Sequence, residues 1–205
     1  MRLPFFSLLM IAMLPSLSRA QAPAFVINPA DSSINFSVKA SVALRGKFDK
    51  WDATLKFTSP DVTTGALDVE IQAASVDTGS GMKNGKLKSK DFFDVKNNPL
   101  ITFKSAKVLQ TGPDTFELDG DFTIRGVSKP EKLTLAVSGK GTGSGTITGT
   151  MAFDRKDYGM THGIPFISIA DRVEVSVNLK VTRVSGPPLV FQQYITVVSP
   201  INLSY

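Results

Sequence analysis

Strict alternation of apolar and polar residues constrains the fold of this chain more than any other feature. The clearest example is the segment 173–181, in which valine or leucine occupies every second position and polar residues stand between them. A period of two places the apolar side chains on one face of a β-strand, whereas a helix would need a period near 3.6. The segment therefore predicts a strand with one buried face.

Further segments between residues 24 and 184 carry the same alternation. They are 34–38, 53–57, 67–71, 101–103, 116–124, 133–137 and 147–153. Turn-forming residues separate many of them, as at 59–61 and 139–145, and such short connections favour antiparallel pairing. Closing the strands into a barrel buries every apolar face and removes the exposed edges. We therefore expect an all-β fold, an eight-stranded antiparallel barrel of the size that holds side chains or one slender ligand.

The segment 80–94 lacks this alternation and predicts a short helix that serves as a lid on the barrel. Before its first acidic residue, Asp91, the segment has a series of lysines. These are Lys83, Lys86, Lys88 and Lys90. A basic rim of this kind favours transient contact with an anionic membrane surface, and a solvated helix face has the same composition. The sequence leaves both interpretations open.

The first residues of the chain have the pattern of a secretory signal peptide. Arg2 provides a positive start, the apolar run 3–14 is too short to span a bilayer, and Ala20 follows small residues suited to cleavage. We therefore expect cleavage near Ala20 and a mature protein in the periplasm or outside the cell. The expected organisation is a signal peptide (1–20), a barrel (24–184) and a C-terminal extension of undecided structure (185–205).

The composition excludes several classes of functional site. The chain has no cysteine and a single histidine, His162, so it cannot form a thiolate metal site or a multi-histidine zinc site. No nucleophile-elbow pattern of glycines surrounds a serine, and we predict neither catalytic residues nor a metal or cofactor. The net charge of +5 includes two arginines from residues 1–20, and it is too small to predict nucleic-acid binding.

Five segments, in order along the chain, resemble the YceI-like family of exported polyisoprenoid-binding proteins. They are 28–36, 45–48, 84–105, 120–130 and 155–159. The most specific match is the run Leu-Lys-Ser-Lys-Asp-Phe-Phe-Asp at 87–94, followed by Pro-Leu-Ile-Thr-Phe at 99–103. The resemblance covers 24–184 and implies a lipocalin-like barrel whose apolar tunnel holds an isoprenoid chain, such as a quinone side chain or a polyprenyl lipid.

An apolar chain ligand requires a dry lining and few directional contacts. Burying each methylene stabilises a complex by about 0.8 kcal/mol, and 14 phenylalanines against 3 tyrosines and 1 tryptophan favour such an interior. The predicted ligand-binding residues are Phe36, Val38, Leu67, Phe103, Phe122, Phe153 and Val175 inside the barrel, and Phe92 and Phe93 at its mouth. Each of them could equally be a core residue. We predict non-catalytic binding, with transport or storage, of a long-chain isoprenoid lipid.

Two smaller features concern local structure. Arg155 and Asp157 are two residues apart, so on a strand they would share a face and could form an ion pair. Gly126 and Gly159 are expected in tight turns, where a side chain would clash. Both features lie within the segments that carry the resemblance.

Three other functions remain open. A small outer-membrane barrel fits the alternating strands, although such barrels have more tyrosine and tryptophan at the membrane interfaces. An enzyme acting on a lipid could use Asp31, Asp91 or Asp157 as a base, although no nucleophile–base spacing supports this. The third is an interaction module in envelope stress or adhesion that binds no lipid. The sequence also leaves homodimer formation undecided.

Overall fold

One curled antiparallel sheet of ten strands dominates the computed structural model, which describes residues 21–41, 44–163 and 168–193. The strands are β1 (Ala24–Ala40), β2 (Leu44–Phe48), β3 (Trp51–Lys56), β4 (Ala66–Gln72), β5 (Val76–Asp77), β6 (Leu100–Gln110), β7 (Thr115–Ile124), β8 (Val127–Ser138), β9 (Ser144–Asp154) and β10 (Ile169–Ser185). Their order in the sheet is β3-β4-β6-β7-β8-β9-β10-β1-β2-β5. An α-helix, α1 (Gly81–Lys88), and three short 3₁₀ helices, Val62–Thr64, Ala73–Ser75 and Arg155–Tyr158, complete the described secondary structure.

The curl of the sheet brings its two edges together. The edge strand β3 contacts β1, which lies near the opposite edge. The rings of Phe25 at the start of β1 and Phe57 just after β3 are 5.5 Å apart between centroids. Apolar faces of the strands thereby turn toward a common interior, which confirms the predicted all-β antiparallel fold.

The prediction of eight strands is wrong by two. The additional strands are β2 and β5, and neither shows clear alternation. In β2 the inward positions are Leu44, Gly46 and Phe48, so a glycine interrupts the apolar series. A Cβ at Gly46 would lie 2.6 Å from Cζ of Phe36, so the Phe36 ring already fills that space. Strand β5 has two residues and is too short to produce a periodic signal.

The β7–β8 hairpin has a two-residue turn formed by Arg125 and Gly126. Their φ angles are 55° and 73°, and positive φ at both positions matches the right-handed twist of the flanking strands. The predicted turn role of Gly126 is therefore confirmed, as is that of Gly159, which has φ of 74°. The Arg125 side chain donates a hydrogen bond to the carbonyl oxygen of Lys90 at 2.9 Å and a second one to that of Gly159.

The segment after β5 forms the predicted short helix. The Ser80 hydroxyl accepts a hydrogen bond from the Lys83 amide and caps the N-terminus of α1. The backbone then turns, and the Phe93 amide donates to the carbonyl oxygen of Leu87 at 2.9 Å. This turn directs Leu87, Phe92 and Phe93 into the protein, where all three are buried. The helix consequently closes one end of the curled sheet.

Candidate functional site

Two apolar cavities lie inside the curled sheet, one toward each end. The helix-side cavity is next to α1 and has a volume of about 60 Å³. The strap-side cavity has a volume of about 110 Å³ and is covered by residues 187–192, which we call the C-terminal strap. One water needs roughly 10–15 Å³ on this scale, so each cavity has room for more than a single water. Cavities with mainly apolar walls suit apolar ligands.

Most of the predicted ligand-binding residues line the helix-side cavity. They are Phe36, Val38, Phe92, Phe93, Phe122, Phe153 and Val175. Phe92 and Phe93 are 4% and 7% exposed, so they belong to the inner wall and do not stand at an open mouth as predicted. The Phe48 ring lies between those of Phe36 and Phe93, with centroid distances of 5.6 and 6.0 Å. Phe48 is not among the predicted ligand-binding residues, because β2 shows no alternation in the sequence.

An aromatic cluster supports the wall of the helix-side cavity from behind. The rings of Phe122 and Phe153 are 5.0 Å apart, and Tyr158 packs edge-on against both of them. The fully buried Tyr158 donates a hydrogen bond from its hydroxyl to Oε1 of Glu131 at 2.8 Å. Burial first, and this hydrogen bond second, raise the pKa of Tyr158. The phenol therefore stays protonated and fixes the positions of the two phenylalanines.

The polar group in the wall of the helix-side cavity is Arg155, and its predicted pairing with Asp157 is wrong. Residues 155–158 form a 3₁₀ helix, in which side chains two residues apart point in different directions because there are three residues per turn. The buried Arg155 guanidinium instead lies 3.0 Å from the carboxylate of Asp171, and Asp157 lies 3.6 Å from Lys129. A hydrogen bond from Lys156, and then the charges of Lys156 and Arg155, lower the pKa of Asp171.

The remaining hydrogen bonds of Arg155 go to the backbone. It donates to the carbonyl oxygens of His162 at 2.9 Å and Ala170 at 3.3 Å, and also to that of Met160. Because its guanidinium nitrogens are engaged by protein acceptors, Arg155 anchors the connection from the 3₁₀ helix to β10. This anchor gives the helix-side cavity a fixed wall.

The strap-side cavity is lined mostly by residues that were not predicted to bind ligand. Of the predicted residues, Leu67 lines it, and most of its wall comes from interior positions that were not singled out. These include Phe25, Leu55, Phe57, Phe116, Leu135 and Val181. Leu189 and Phe191 from the C-terminal strap complete the lining. The sequence does not predict the structure of this segment, because alternation ends before it and two prolines follow β10.

Phe103, the ninth predicted residue, lies in a packed layer between the two cavities. On β6 it stands between Ile101, which lines the helix-side cavity, and Val108, which lines the strap-side cavity. Its ring lies against Gly120, where a Cβ would be 2.8 Å from Cζ of Phe103. Leu133 is also buried and borders neither of these cavities. Among the described residues, side chains of this layer therefore lie between the two cavities.

The lysines near α1 are not equivalent. Lys86 Nζ lies 2.7 Å from Oδ2 of Asp91 and 5.7 Å from the centroid of the Phe92 ring. The hydrogen bond from Lys86 lowers the pKa of Asp91, which makes this carboxylate a weaker base. The outward charge of the predicted basic rim therefore comes mainly from Lys83, Lys88 and Lys90.

Some predictions lie outside the described residues or are not addressed by the structure. The predicted signal peptide, residues 1–20, is outside the described ranges, and homodimer formation stays undecided. Among residues 21–41, 44–163 and 168–193, no group of three or more histidine, aspartate or glutamate side chains is placed to hold a metal ion. Within the same ranges, the helices are too short and polar for any of them to cross a membrane.

The sequence profile of the YceI-like domain matches residues 25–181. The chain belongs to the YceI-like family. A UPF0312 protein of Pseudomonas savastanoi pv. phaseolicola is 30% identical over 122 residues, which cover 57% of this chain and 64% of that relative. The match thus spans less than two thirds of that relative's length. A UPF0312 protein of Vibrio cholerae serotype O1 is 27% identical over 150 residues, which cover 69% of this chain and 79% of the relative.

Solved structures agree with this assignment. BcnA of Burkholderia cenocepacia has a TM-score of 0.69 and 26% identity, over 76% of this YceI-like chain and 99% of BcnA. A Campylobacter jejuni YCEI protein has a TM-score of 0.58 and 25% identity, over 69% of this chain and 85% of that one. A polyisoprenoid-binding domain from Saccharophagus degradans, with a TM-score of 0.60 and 16% identity over 78% of this chain and 99% of that domain, shares the fold. The predicted family and lipocalin-like fold are confirmed.

Proposed function

We propose that this YceI-like protein binds the apolar chain of a long isoprenoid lipid in its interior and releases it unchanged. The observation that carries the proposal is the pair of apolar cavities on either side of Phe103. Apart from the anchored Arg155, the helix-side cavity is lined by apolar side chains. Such a lining offers many dispersion contacts and few directional ones, which suits a hydrocarbon chain.

The energetics favour a long chain over a compact apolar ligand. Each buried methylene contributes about 0.8 kcal/mol, so each isoprene unit contributes several times that before the cost of ordering the ligand is subtracted. A chain that occupies both cavities gains from each of them. A compact ligand would gain from one alone.

Occupation of both cavities requires Phe103 to move. Its ring lies against Gly120, and a side chain at that position would prevent the present packing. Rotation of Phe103 away from Gly120 would connect the two cavities across the middle layer. The ligand would then replace the contacts that the ring loses.

Similar proteins support this choice of ligand. The Saccharophagus degradans domain that shares the fold is described as polyisoprenoid-binding. For this protein, the ligand class rests on the apolar character of both cavities together with membership of the YceI-like family. The headgroup is left to experiment.

We also propose that the protein acts after export, as a carrier or store that exchanges lipid with a membrane. Residues 1–20 have the pattern of a signal peptide. Lys83 and Lys88 lie on the helix that borders the helix-side cavity, and Lys90 follows it, so an anionic membrane surface would meet that end of the molecule. Met82, which is 88% exposed on the same helix, adds an apolar contact.

Binding without turnover fits the surroundings of the acidic residues. Asp31 is exposed and accepts a hydrogen bond from Asn28 at 2.6 Å, and Asp157 is exposed beside Lys129. Asp91, the third acid considered, has a lowered pKa. None of the three lines either cavity.

The test is native mass spectrometry of the mature protein, followed by extraction and identification of the bound lipid. We expect one apolar ligand per chain. Phe122→Asp places a carboxylate in the helix-side cavity, where burial of the charge is unfavourable, and should abolish retention. Leu109→Asp is the matched control, because Leu109 is 46% exposed on the neighbouring strand β6. A folded Phe122→Asp variant that retains as much lipid as Leu109→Asp would refute the proposal.

A further inference from the structure

The C-terminal strap closes the strap-side cavity, although it lies beyond the residues that match the YceI-like domain. The match ends at residue 181, and β10 ends at Ser185. The chain then crosses the end of the sheet and places Leu189 and Phe191 in the lining of the cavity. Val190, between them, is 63% exposed. The strap therefore has an inner and an outer face.

Backbone hydrogen bonds attach the strap to the loop before the first 3₁₀ helix. The Val190 amide donates to the carbonyl oxygen of Pro60 at 2.8 Å, and the Val62 amide donates to that of Val190 at 3.1 Å. They form a short parallel bridge between Asp61 and Val190. This attachment is local, whereas continuous ladders hold the strands of the cavity wall.

A buried glutamine fixes the other end of the strap. The Gln192 amide donates to Oε1 of Gln110 at 2.8 Å, and Nε2 of Gln110 donates to the carbonyl oxygen of Gln192 at 3.3 Å. Gln110 is 3% exposed and also donates to the carbonyl oxygen of Gly112 at 3.0 Å. The side chain thus serves as a latch that pairs with the strap backbone as a strand would.

The inner face of the strap packs against the end of the barrel through Phe191. Its ring centroid is 6.2 Å from that of Phe116 and 4.8 Å from Nζ of Lys140. Lys140 in turn lies 2.5 Å from Oδ1 of Asp114. The Phe191 ring therefore lies between Phe116 and the Lys140–Asp114 ion pair, at the end of the strap-side cavity.

We propose that the C-terminal strap is the end wall of the binding site and limits the length of the apolar chain that the protein retains. This inference rests on the proposed function, because it concerns the same lipid. A chain that fills both cavities ends against Leu189 and Phe191. A longer chain has to displace the strap and break its bonds with Gln110 and residues 60–62.

The experiment offers the mature protein an equimolar series of all-trans polyprenols of graded length and determines the bound species by native mass spectrometry. Phe191→Ala shortens the wall, and Gln110→Ala releases the latch. Both variants should shift the bound distribution toward longer chains by at least one isoprene unit. Gln72→Ala, an exposed glutamine on β4, and Leu109→Ala, an exposed leucine on β6, are the matched controls and should reproduce the wild-type distribution.

The outcomes separate this inference from the proposed function. If the wild-type protein takes up no polyprenol of any length, the proposed function fails. If it takes up polyprenols, and the folded Phe191→Ala variant has the wild-type length distribution, the end-wall inference fails and the function stands. The same conclusion follows if the controls shift as far as the strap variants. Phe191 is only half-buried, so we expect Phe191→Ala to fold. The test can therefore be decided with Phe191→Ala even if Gln110→Ala does not fold.

Discussion

The two ends of the interior are built from the same strands but are closed in different ways. At the helix side, Arg155 and Arg125 bind backbone carbonyls from separate segments, and Phe92 and Phe93 are buried. At the strap side, a short segment held by a bridge and one glutamine covers the cavity. The Arg155 guanidinium is buried, and its charged hydrogen bonds are costly to break. We therefore infer a fixed end at the helix side and an adjustable end at the strap side.

The sharpest test of this comparison concerns the layer between the two ends. Phe103→Ala removes the ring that separates the cavities, and we expect the free energy of unfolding of the lipid-free protein to fall by about 4 kcal/mol. Polyprenol retention should persist, and bound polyprenol should restore part of the lost stability. Urea denaturation with and without polyprenol measures both effects.

Leu109→Ala is the control for this variant, since it truncates an exposed residue of the same strand and should change stability by less than about 0.5 kcal/mol. Phe103→Leu is a milder alternative if the alanine variant does not fold. Loss of retention in a folded Phe103 variant would show that the ring is itself a required ligand contact, as the sequence predicts. It would contradict the proposal that Phe103 only separates two cavities that one lipid chain occupies.

A second test asks which end meets a membrane. Reversing the charges of Lys83, Lys88 and Lys90 removes about 1 kcal/mol of attraction per lysine and adds repulsion, so each reversal should weaken binding to anionic vesicles by more than roughly fivefold at low ionic strength. Co-sedimentation with vesicles of anionic and of neutral lipid measures this, and added salt should reduce the difference. Lys107→Glu, on an exposed position of β6, is the control. If Lys107→Glu weakens vesicle binding as much as each single variant of Lys83, Lys88 and Lys90, the helix side is not the end that contacts the membrane.

The smallest expected effect concerns Tyr158 behind the helix-side cavity. Tyr158→Phe removes the hydrogen bond to Glu131 and should lower the free energy of unfolding by about 1 kcal/mol at neutral pH. The raised pKa of Tyr158 means that folding favours the protonated phenol. This stabilisation is complete below the unfolded-state pKa, near 10, and is lost as the pH rises above it.

Urea denaturation across this pH range should therefore show a steeper loss of stability in the wild-type protein than in Tyr158→Phe. Tyr158→Phe also controls for the other titrating groups, because both proteins contain the same ones. Parallel pH profiles would mean that the phenol is not held in its protonated form by the fold.

The strands and the helix were predictable because they depend on local periodicity. Alternation identified the eight long strands, and its absence identified α1. The strand β2 was missed because Gly46 occupies an inward position, where the Phe36 ring supplies the missing volume from another strand. The sequence does not show that the Phe36 ring takes the space of a side chain at position 46, because the two residues lie on different strands.

The apolar character of the candidate site was predictable from the sequence, but the residues that line it were predictable only in part. Inward positions followed from alternation, but which of them border a cavity depends on how side chains from different strands fill the interior. The Phe103 ring fills part of the interior because Gly120 on the neighbouring strand β7 has no side chain in that space. A residue predicted to contact ligand is therefore part of a packed layer. The strap was not predictable, because its bonds run from Val190 and Gln192 to residues far away in sequence.

Arg125 has a consequence for the order in which the molecule assembles. From its turn between β7 and β8, it binds the carbonyl oxygens of Lys90 and Gly159, which are 35 and 34 residues away in opposite directions along the chain. Closing loops of that length costs entropy that is recovered only after the flanking elements have formed. We therefore expect the β7–β8 hairpin to form before the contacts that Arg125 makes beside α1, because those contacts need both flanking segments in place.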